Sequence, residues 1–161
     1  MNITLPDGSI RELDLGSTGL DLATSIGPGL AKAAIAVTVN GVQRDLSDPI
    51  NEDSSVSIIT IDSDEGIEIM RHTLTAQVLA RAVKNLYPGT KLAIGPTITD
   101  GFYYDFEFKK PISPEDLESI EKEMKKIIAG NSSITKSLHT KEEVINVFRN
   151  DGISALAIAE A

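Results

Sequence analysis

The sequence predicts an α+β protein of two domains, and three observations support this prediction. Short β-branched runs separated by turn signals fill residues 1–62, whereas residues 63–161 contain long runs with apolar residues every three or four positions, typical of amphipathic helices. The charge also changes along the chain, from 3 basic and 9 acidic residues in 1–62 to 12 and 15 in 63–161. A polar stretch ending at Gly66 lies between the two parts, so we place the domains at residues 1–62 and 63–161.

Composition excludes several classes of function. The chain has 161 residues, a formal net charge of −9 and no cysteine, which excludes disulfides, thiol catalysis and cysteine-ligated zinc within these residues. No apolar run approaches the roughly 18 residues of a membrane span, and the acidic balance disfavours non-specific binding of nucleic acid. The two histidines, His72 and His139, are isolated, so no metal site is predicted. We expect a cytoplasmic protein without a membrane segment.

The first domain alternates short strands with one helix. The turn Pro6-Asp7-Gly8-Ser9 separates two strands, Gly27-Pro28-Gly29 ends the helix, and Asn40-Gly41 is the signal of a type I′ hairpin turn. The predicted elements are strand 3–5, strand 10–15, helix 18–26, strand 34–39, strand 42–44 and strand 56–61. This order indicates a β-grasp (ubiquitin-like) fold, in which one helix lies across a mixed sheet; another small α+β fold is the alternative.

The second domain opens on the longest helical pattern, residues 70–87, which Pro88-Gly89 stops. Its apolar stripe recurs every four residues, at Met70, Leu74, Val78, Ala82 and Leu86. Strand 91–94 and an aromatic return strand 102–108 follow, and then helix 114–129, strand 134–138 and a helix from 140 to 148 that ends in a turn at 150–152. The expected architecture is mixed α/β.

Seven segments of the chain resemble one family. They are Thr4-Leu-Pro-Asp-Gly8, Ile26-Gly-Pro-Gly-Leu-Ala-Lys-Ala33, Val39-Asn-Gly41, Ser57-Ile-Ile-Thr60, Asp64-Glu-Gly-Ile-Glu-Ile-Met-Arg-His72, Ala93-Ile-Gly-Pro96 and Asp100-Gly-Phe-Tyr-Tyr-Asp105. Through them the chain resembles the N-terminal region of bacterial-type threonyl-tRNA synthetases. The resemblance implies a β-grasp TGS domain at 1–62, followed by a mixed α/β, apparently truncated editing domain at 63–161.

The resemblance also implies a hydrolytic function for the second domain. In this family the editing domain hydrolyses Ser-tRNA(Thr), because serine lacks only one methyl group of threonine and a pocket rejects such a difference by only about 1–3 kcal/mol. The family carries a His-x-x-x-His pair on its first long helix. His72 matches the first histidine when the helix is followed from Arg71, and the position four residues later is Ala76. When the helix is aligned with the family backwards from Pro88 instead, the two histidine positions fall on Thr73 and Gln77. The two alignments differ by one residue, which indicates that this helix holds one extra residue.

These departures define the expected site. The editing-pocket candidates are Thr73, Gln77, Tyr104 and Asp105, with His72 as the catalytic candidate. Glutamine cannot act as a general base, and Ala155-Leu156 replaces a Tyr-Lys pair of the family, so we expect a degenerate editing site. A third interpretation retains hydrolysis, with His72 and Gln77 organising a water over the 2′-hydroxyl of the tRNA terminus.

The implied partners follow from the family. We expect no cofactor in this chain, because ATP and zinc would bind to the aminoacylation core of the synthetase, and any homodimer would form through that core. The partner would be the acceptor end of tRNA(Thr), bound weakly or only together with the rest of the enzyme. The alternative is a free-standing, non-catalytic module that binds tRNA or a protein.

Overall fold

A computed structural model of the chain describes residues 1–151, and the chain divides into two compact units, Met1–Met70 and Arg71–Ala161. The division falls inside a helix, a few residues after the boundary predicted from charge. Residues 152–161, which include the Ala155-Leu156 pair, lie outside the described residues. None of the described helices is both long and apolar enough to cross a membrane.

The first unit is built on a five-stranded mixed sheet. Its strands are β1 (Asn2–Thr4), β2 (Ile10–Glu12), β3 (Ala34–Val39), β4 (Val42–Asp45) and β5 (Ser54–Thr60), and its helices are α1 (Gly19–Ile26) and α2 (Pro28–Ala33). The sheet order is β2-β1-β5-β3-β4, with β1 parallel to the central strand β5 and the other pairs antiparallel. A central strand contributed by the end of the domain is the β-grasp arrangement, which confirms the predicted fold class.

Helix α1 closes the core of this unit against the sheet. Thr18 caps it, because its side chain accepts a hydrogen bond from the Asp21 amide at 3.2 Å while Asp21 Oδ2 accepts one from the Thr18 amide at 2.8 Å. Six aliphatic side chains are almost fully buried together: Ile3, Leu22, Val37, Val39, Ile50 and Val56. The core is therefore aliphatic and contains no aromatic ring.

The structure corrects two details of the predicted first domain. Strand β2 ends at Glu12 rather than residue 15, and a second helix, α2, follows α1 directly. Gly27-Pro28-Gly29 does end α1, but Pro28 also begins α2, because proline is well suited to the first turn of a helix. The predicted hairpin turn is confirmed, since Asn40 and Gly41 both have positive φ, at 50° and 81°.

The long helix begins earlier than predicted and is not α-helical throughout. It comprises α3 (Asp64–Thr73), a π-helical segment (Leu74–Leu79) and α4 (Ala80–Leu86). The predicted start at Met70 missed Ser63, whose hydroxyl accepts a hydrogen bond from the Gly66 amide at 3.0 Å and so caps α3. His72 consequently lies in the last turn of α3 and not at a helix start.

An irregular hairpin packs beside this helix within the second unit. Its strands are β6 (Lys91–Leu92), β7 (Thr97–Ile98), β8 (Gly101–Phe102) and β9 (Phe106–Glu107); β6 pairs with β9 and β7 with β8. The continuous return strand predicted at 102–108 is thus two short strands. Gly95 and Pro96 interrupt the facing chain, and Pro96 has no amide hydrogen to donate. Side chains still alternate along this segment, since Tyr104, Phe106 and Phe108 are half-buried while Tyr103, Asp105 and Glu107 are exposed.

Two further helices complete the described chain. Helix α5 (Pro114–Ala129) has its predicted limits, and its Ile120 packs with Ala82 and Val83 in the small core of the second unit. Helix α6 (Lys141–Asp151) begins after Thr140 as predicted, but it includes Asn150 and Asp151, where a turn was expected. The strand predicted at 134–138 is wrong: the segment has no regular structure and Leu138 is 88% exposed.

Candidate functional site

The five predicted site residues lie on two elements of the chain. His72 and Gln77 are exposed on the long helix, and Thr73 is half-buried between them. Tyr104 is half-buried on the hairpin, whereas the neighbouring Asp105 is exposed. No described residue forms a hydrogen bond or ion pair with the side chains of His72, Gln77 or Asp105, so these groups are open to solvent.

The π segment sets the spacing of the helical candidates. The Ala80 amide donates to the Thr75 carbonyl, five residues back, and both residues are buried, at 5% and 1% exposure. A π turn holds one residue more than an α turn, so residues five apart lie on one face. His72 and Gln77 are also five apart, and both are exposed. The wide turn keeps Thr75 and Ala80 together on the buried face, and it gives the exposed His72 and Gln77 the same five-residue spacing.

Two polar contacts adjoin the π segment. The Thr75 hydroxyl donates to the Arg71 carbonyl at 2.7 Å, a bond to the carbonyl four residues back that bends helices. The Arg71 guanidinium reaches the hairpin and donates from Nη1 to the Thr99 carbonyl at 2.6 Å. The helix and the tip of the hairpin are thus joined just beside His72.

Tyr104 approaches the same segment from the hairpin. A Cβ atom placed on Gly95 would lie 2.7 Å from Tyr104 Cε2 and 2.8 Å from Thr75 Cγ2, so only glycine leaves room for both side chains. The Tyr104 ring stacks on Phe106 with 4.4 Å between centroids, and burial raises the pKa of its phenol. Tyr104 is therefore a neutral hydroxyl group positioned beside the π segment, while Asp105 is on the opposite face of the hairpin.

Sequence reasoning missed three residues that build this site: Arg71, Thr75 and Gly95. Two of them lie within segments already recognised, since Arg71 precedes His72 and Gly95 precedes Pro96. Thr75 had no such signal, because its burial depends on the π turn. A pattern read with α-helical spacing places Leu74 and Val78 on the inner face instead.

The chemistry available at this site is limited. Histidine is the side chain that most readily exchanges a proton near neutral pH, and only His72 supplies one here. Gln77 can donate and accept hydrogen bonds but cannot take up a proton. Within residues 1–151, no group of three or more histidine, cysteine, aspartate or glutamate side chains could hold a metal ion.

Comparison with known proteins assigns the first unit to a class. The TGS domain family matches residues 1–60, which covers all five strands of the β-grasp sheet. The chain therefore contains a TGS domain, followed by a second unit whose long helix carries the candidate site.

The similarity to particular proteins extends across both units. The chain is 45% identical over 152 residues to a threonine–tRNA ligase of Rhodopseudomonas palustris, and 49% identical over 150 residues to that of Gluconacetobacter diazotrophicus. It is 49% identical over 143 residues to threonine–tRNA ligase 1 of Bacillus subtilis. These alignments cover 94%, 93% and 89% of the chain, but the chain spans only 22–23% of the relatives' length. The chain is thus similar, over nearly all of its length, to the N-terminal region of threonine–tRNA ligases.

Proposed function

We propose that this chain serves as the N-terminal part of a threonine–tRNA ligase in the cytoplasm, and that its second unit faces the acceptor end of tRNA(Thr). The observation that carries this function is the 45–49% identity, which covers both units and not the TGS domain alone. Charging of tRNA, with its ATP and zinc, belongs in this proposal to a part of the ligases outside the matched region. The chain by itself would then bind tRNA weakly, in keeping with its net charge of −9.

The site of interest for editing is the exposed face that carries His72 and Gln77. Hydrolysis of a seryl ester requires a water molecule and a group that accepts its proton. In this proposal Gln77 holds the water by its amide and His72 is the only base within reach. Because glutamine replaces the second histidine of the resembled family, we infer that hydrolysis of Ser-tRNA(Thr) is slow.

Hydrolysis of Ser-tRNA(Thr) by the 161-residue chain tests this function. We expect the chain to release serine at close to the rate in buffer, and the Gln77→His variant to release it at least tenfold faster, since a positioned base contributes about 10²–10⁴-fold. Adding His72→Ala to Gln77→His should remove the gain. Thr-tRNA(Thr) serves as the substrate control.

His139→Ala is the matched variant, because His139 is also exposed but lies outside the long helix. Rapid release of serine by the unmodified chain, lost on His72→Ala and kept in His139→Ala, would instead establish an intact editing site. No gain from Gln77→His would disprove the assignment of position 77.

A further inference from the structure

A concave site lies at the far end of the long helix. It is a cavity of about 430 Å³, lined mainly by Tyr87, Pro88, Phe108, Pro111 and Ile112, with Lys109 and Lys110 among its remaining residues. Tyr87 follows His72 by 15 residues, which corresponds to roughly 20 Å along a helix. The cavity is therefore distant from His72, and none of the five predicted site residues is among those that line it.

The aromatic wall of this cavity is held rigidly. Tyr87 Oη donates to Asp116 Oδ1 at 2.7 Å, and its ring meets that of Phe108 edge-on, with centroids 5.5 Å apart and planes at 88°. The turn after Tyr87 is closed by the buried Thr90, whose hydroxyl donates to the Tyr87 carbonyl at 2.8 Å. A planar ligand would meet walls that are already in place, which lowers the entropic cost of binding.

The two lysines supply unpaired positive charge at this wall. Neither Lys109 nor Lys110 forms an ion pair or hydrogen bond with a described residue. Lys109 extends across Gly89, where a Cβ atom would lie 2.6 Å from Nζ. The acidic group among the lining residues, Asp116, is already engaged by Tyr87 and by the Ser113 amide, which donates to Oδ2 at 2.7 Å. Hydrogen bonding does not remove the negative charge of Asp116, but two lysines against one carboxylate leave the lining with a net positive charge.

We propose that this cavity binds a nucleotide unit, with the base against the aromatic and proline side chains and a phosphate between Lys109 and Lys110. The volume lies within the usual range of ligand pockets, about 300–1,000 Å³. Aromatic side chains stack on any base, and lysine ammonium groups are common phosphate ligands. A ligand with only an apolar part would leave the lysines unused, and a simple anion would leave the aromatic wall unused. A free mononucleotide and the terminal nucleotide of an RNA strand present the same chemistry.

Titration of the 161-residue chain, followed by amide NMR, tests this site. AMP should cause saturable shifts confined to residues 87–90 and 108–112, and adenosine or inorganic phosphate alone should bind at least tenfold more weakly. Lys109→Ala and Lys110→Ala should each weaken AMP binding about fivefold, as expected for the loss of one charge-assisted hydrogen bond. Lys122→Ala is the control, because Lys122 is an exposed, unpaired lysine of α5 outside the cavity lining.

The trinucleotide CCA distinguishes the two sources of the nucleotide. Binding of CCA at least tenfold tighter than AMP at the same amides would assign the site to an RNA end, and equal or weaker binding would assign it to a free nucleotide. The site is disproved if neither probe gives saturable shifts, if phosphate alone binds as tightly as AMP, or if Lys122→Ala weakens binding as much as Lys110→Ala. This test does not depend on hydrolysis at His72, so the two proposals can fail separately.

Discussion

Gly66 provides a sharp test of how the first unit joins the long helix. It lies in the first turn of α3 and is buried. A Cβ atom at this position would overlap the Thr60 carbonyl oxygen, and it would lie 2.9 Å from Thr60 C and 3.1 Å from Ser63 Oγ. Real Cβ atoms essentially never approach other atoms within 3.0 Å. Because the carbonyl belongs to the backbone, no change of rotamer can make room, and Gly66→Ala must open the turn.

The size of the effect follows from the hydrogen bonds in that turn. Opening it breaks the bond from the Gly66 amide to Ser63 Oγ, at 3.0 Å, and the bond from Ser63 Oγ to the Thr60 carbonyl, at 2.9 Å. Each contributes about 1 kcal/mol, and steric strain adds about 1–3 kcal/mol. Alanine regains about 1 kcal/mol through its higher helix propensity. We therefore expect Gly66→Ala to lower the free energy of unfolding by about 2–4 kcal/mol, although propensity alone predicts a gain.

Urea unfolding followed by amide NMR measures this loss, because it reports residues 1–70 separately from the rest. Gly29→Ala is the matched control: Gly29 lies in helix α2, and a Cβ atom there would meet nothing within 4 Å. That variant should stabilise the first unit by about 0.4–1 kcal/mol. If Gly66→Ala proves as stable as the unmodified chain while Gly29→Ala behaves as expected, the close approach at Thr60 does not exist.

Two further predictions concern the second unit. Hydrogen bonds from the Ser113 amide and, to a smaller extent, the Tyr87 hydroxyl hold the pKa of Asp116 below its usual range. The stability that Asp116 contributes is therefore present above about pH 4 and is lost as the pH falls through the pKa of Asp116 in the folded state. Tyr87→Phe should raise the pKa of Asp116 and move this loss to higher pH, as read from carboxyl NMR during acid titration; an unchanged pKa would contradict the hydrogen bond. Gly95→Ala should displace the Tyr104 ring and lower the pKa of its phenol toward about 10, which the absorbance of the phenolate in alkali measures. An unchanged titration would show that the added methyl group does not move the ring.

Local signals predicted most of the fold. The Asn40-Gly41 turn and the start of the helix predicted at 114–129 depend on a few adjacent residues, and both are found where the sequence placed them. Errors arose where an element needs a distant partner. The 134–138 segment contains β-branched residues, but no strand among residues 1–151 pairs with it. The strand at 102–108 is broken because its partner contains Pro96. Backbone pairing across the chain, rather than local propensity, decided these cases.

The candidate site was predictable in its residue types and not in its geometry. Tyr104 was found through its motif, and its half-buried side follows from the two-residue period of an extended chain. The apolar stripe of the long helix was only partly right: Ala82 is buried, but Met70 and Leu86 are 40% and 37% exposed. The stripe assumed four residues per repeat along the whole helix, and the π segment breaks that assumption.

The π segment also explains how the second unit keeps its core. In an α-helix, one extra residue would rotate everything after it by about 100°, and would carry Ala82 and Val83 out of the core of the second unit. Both are 0% exposed, because one wide turn takes up the extra residue. With the core positions kept, the difference that remains at position 77 is the side chain itself. We therefore expect Gln77→His, rather than deletion of a residue, to be the change that gives hydrolysis.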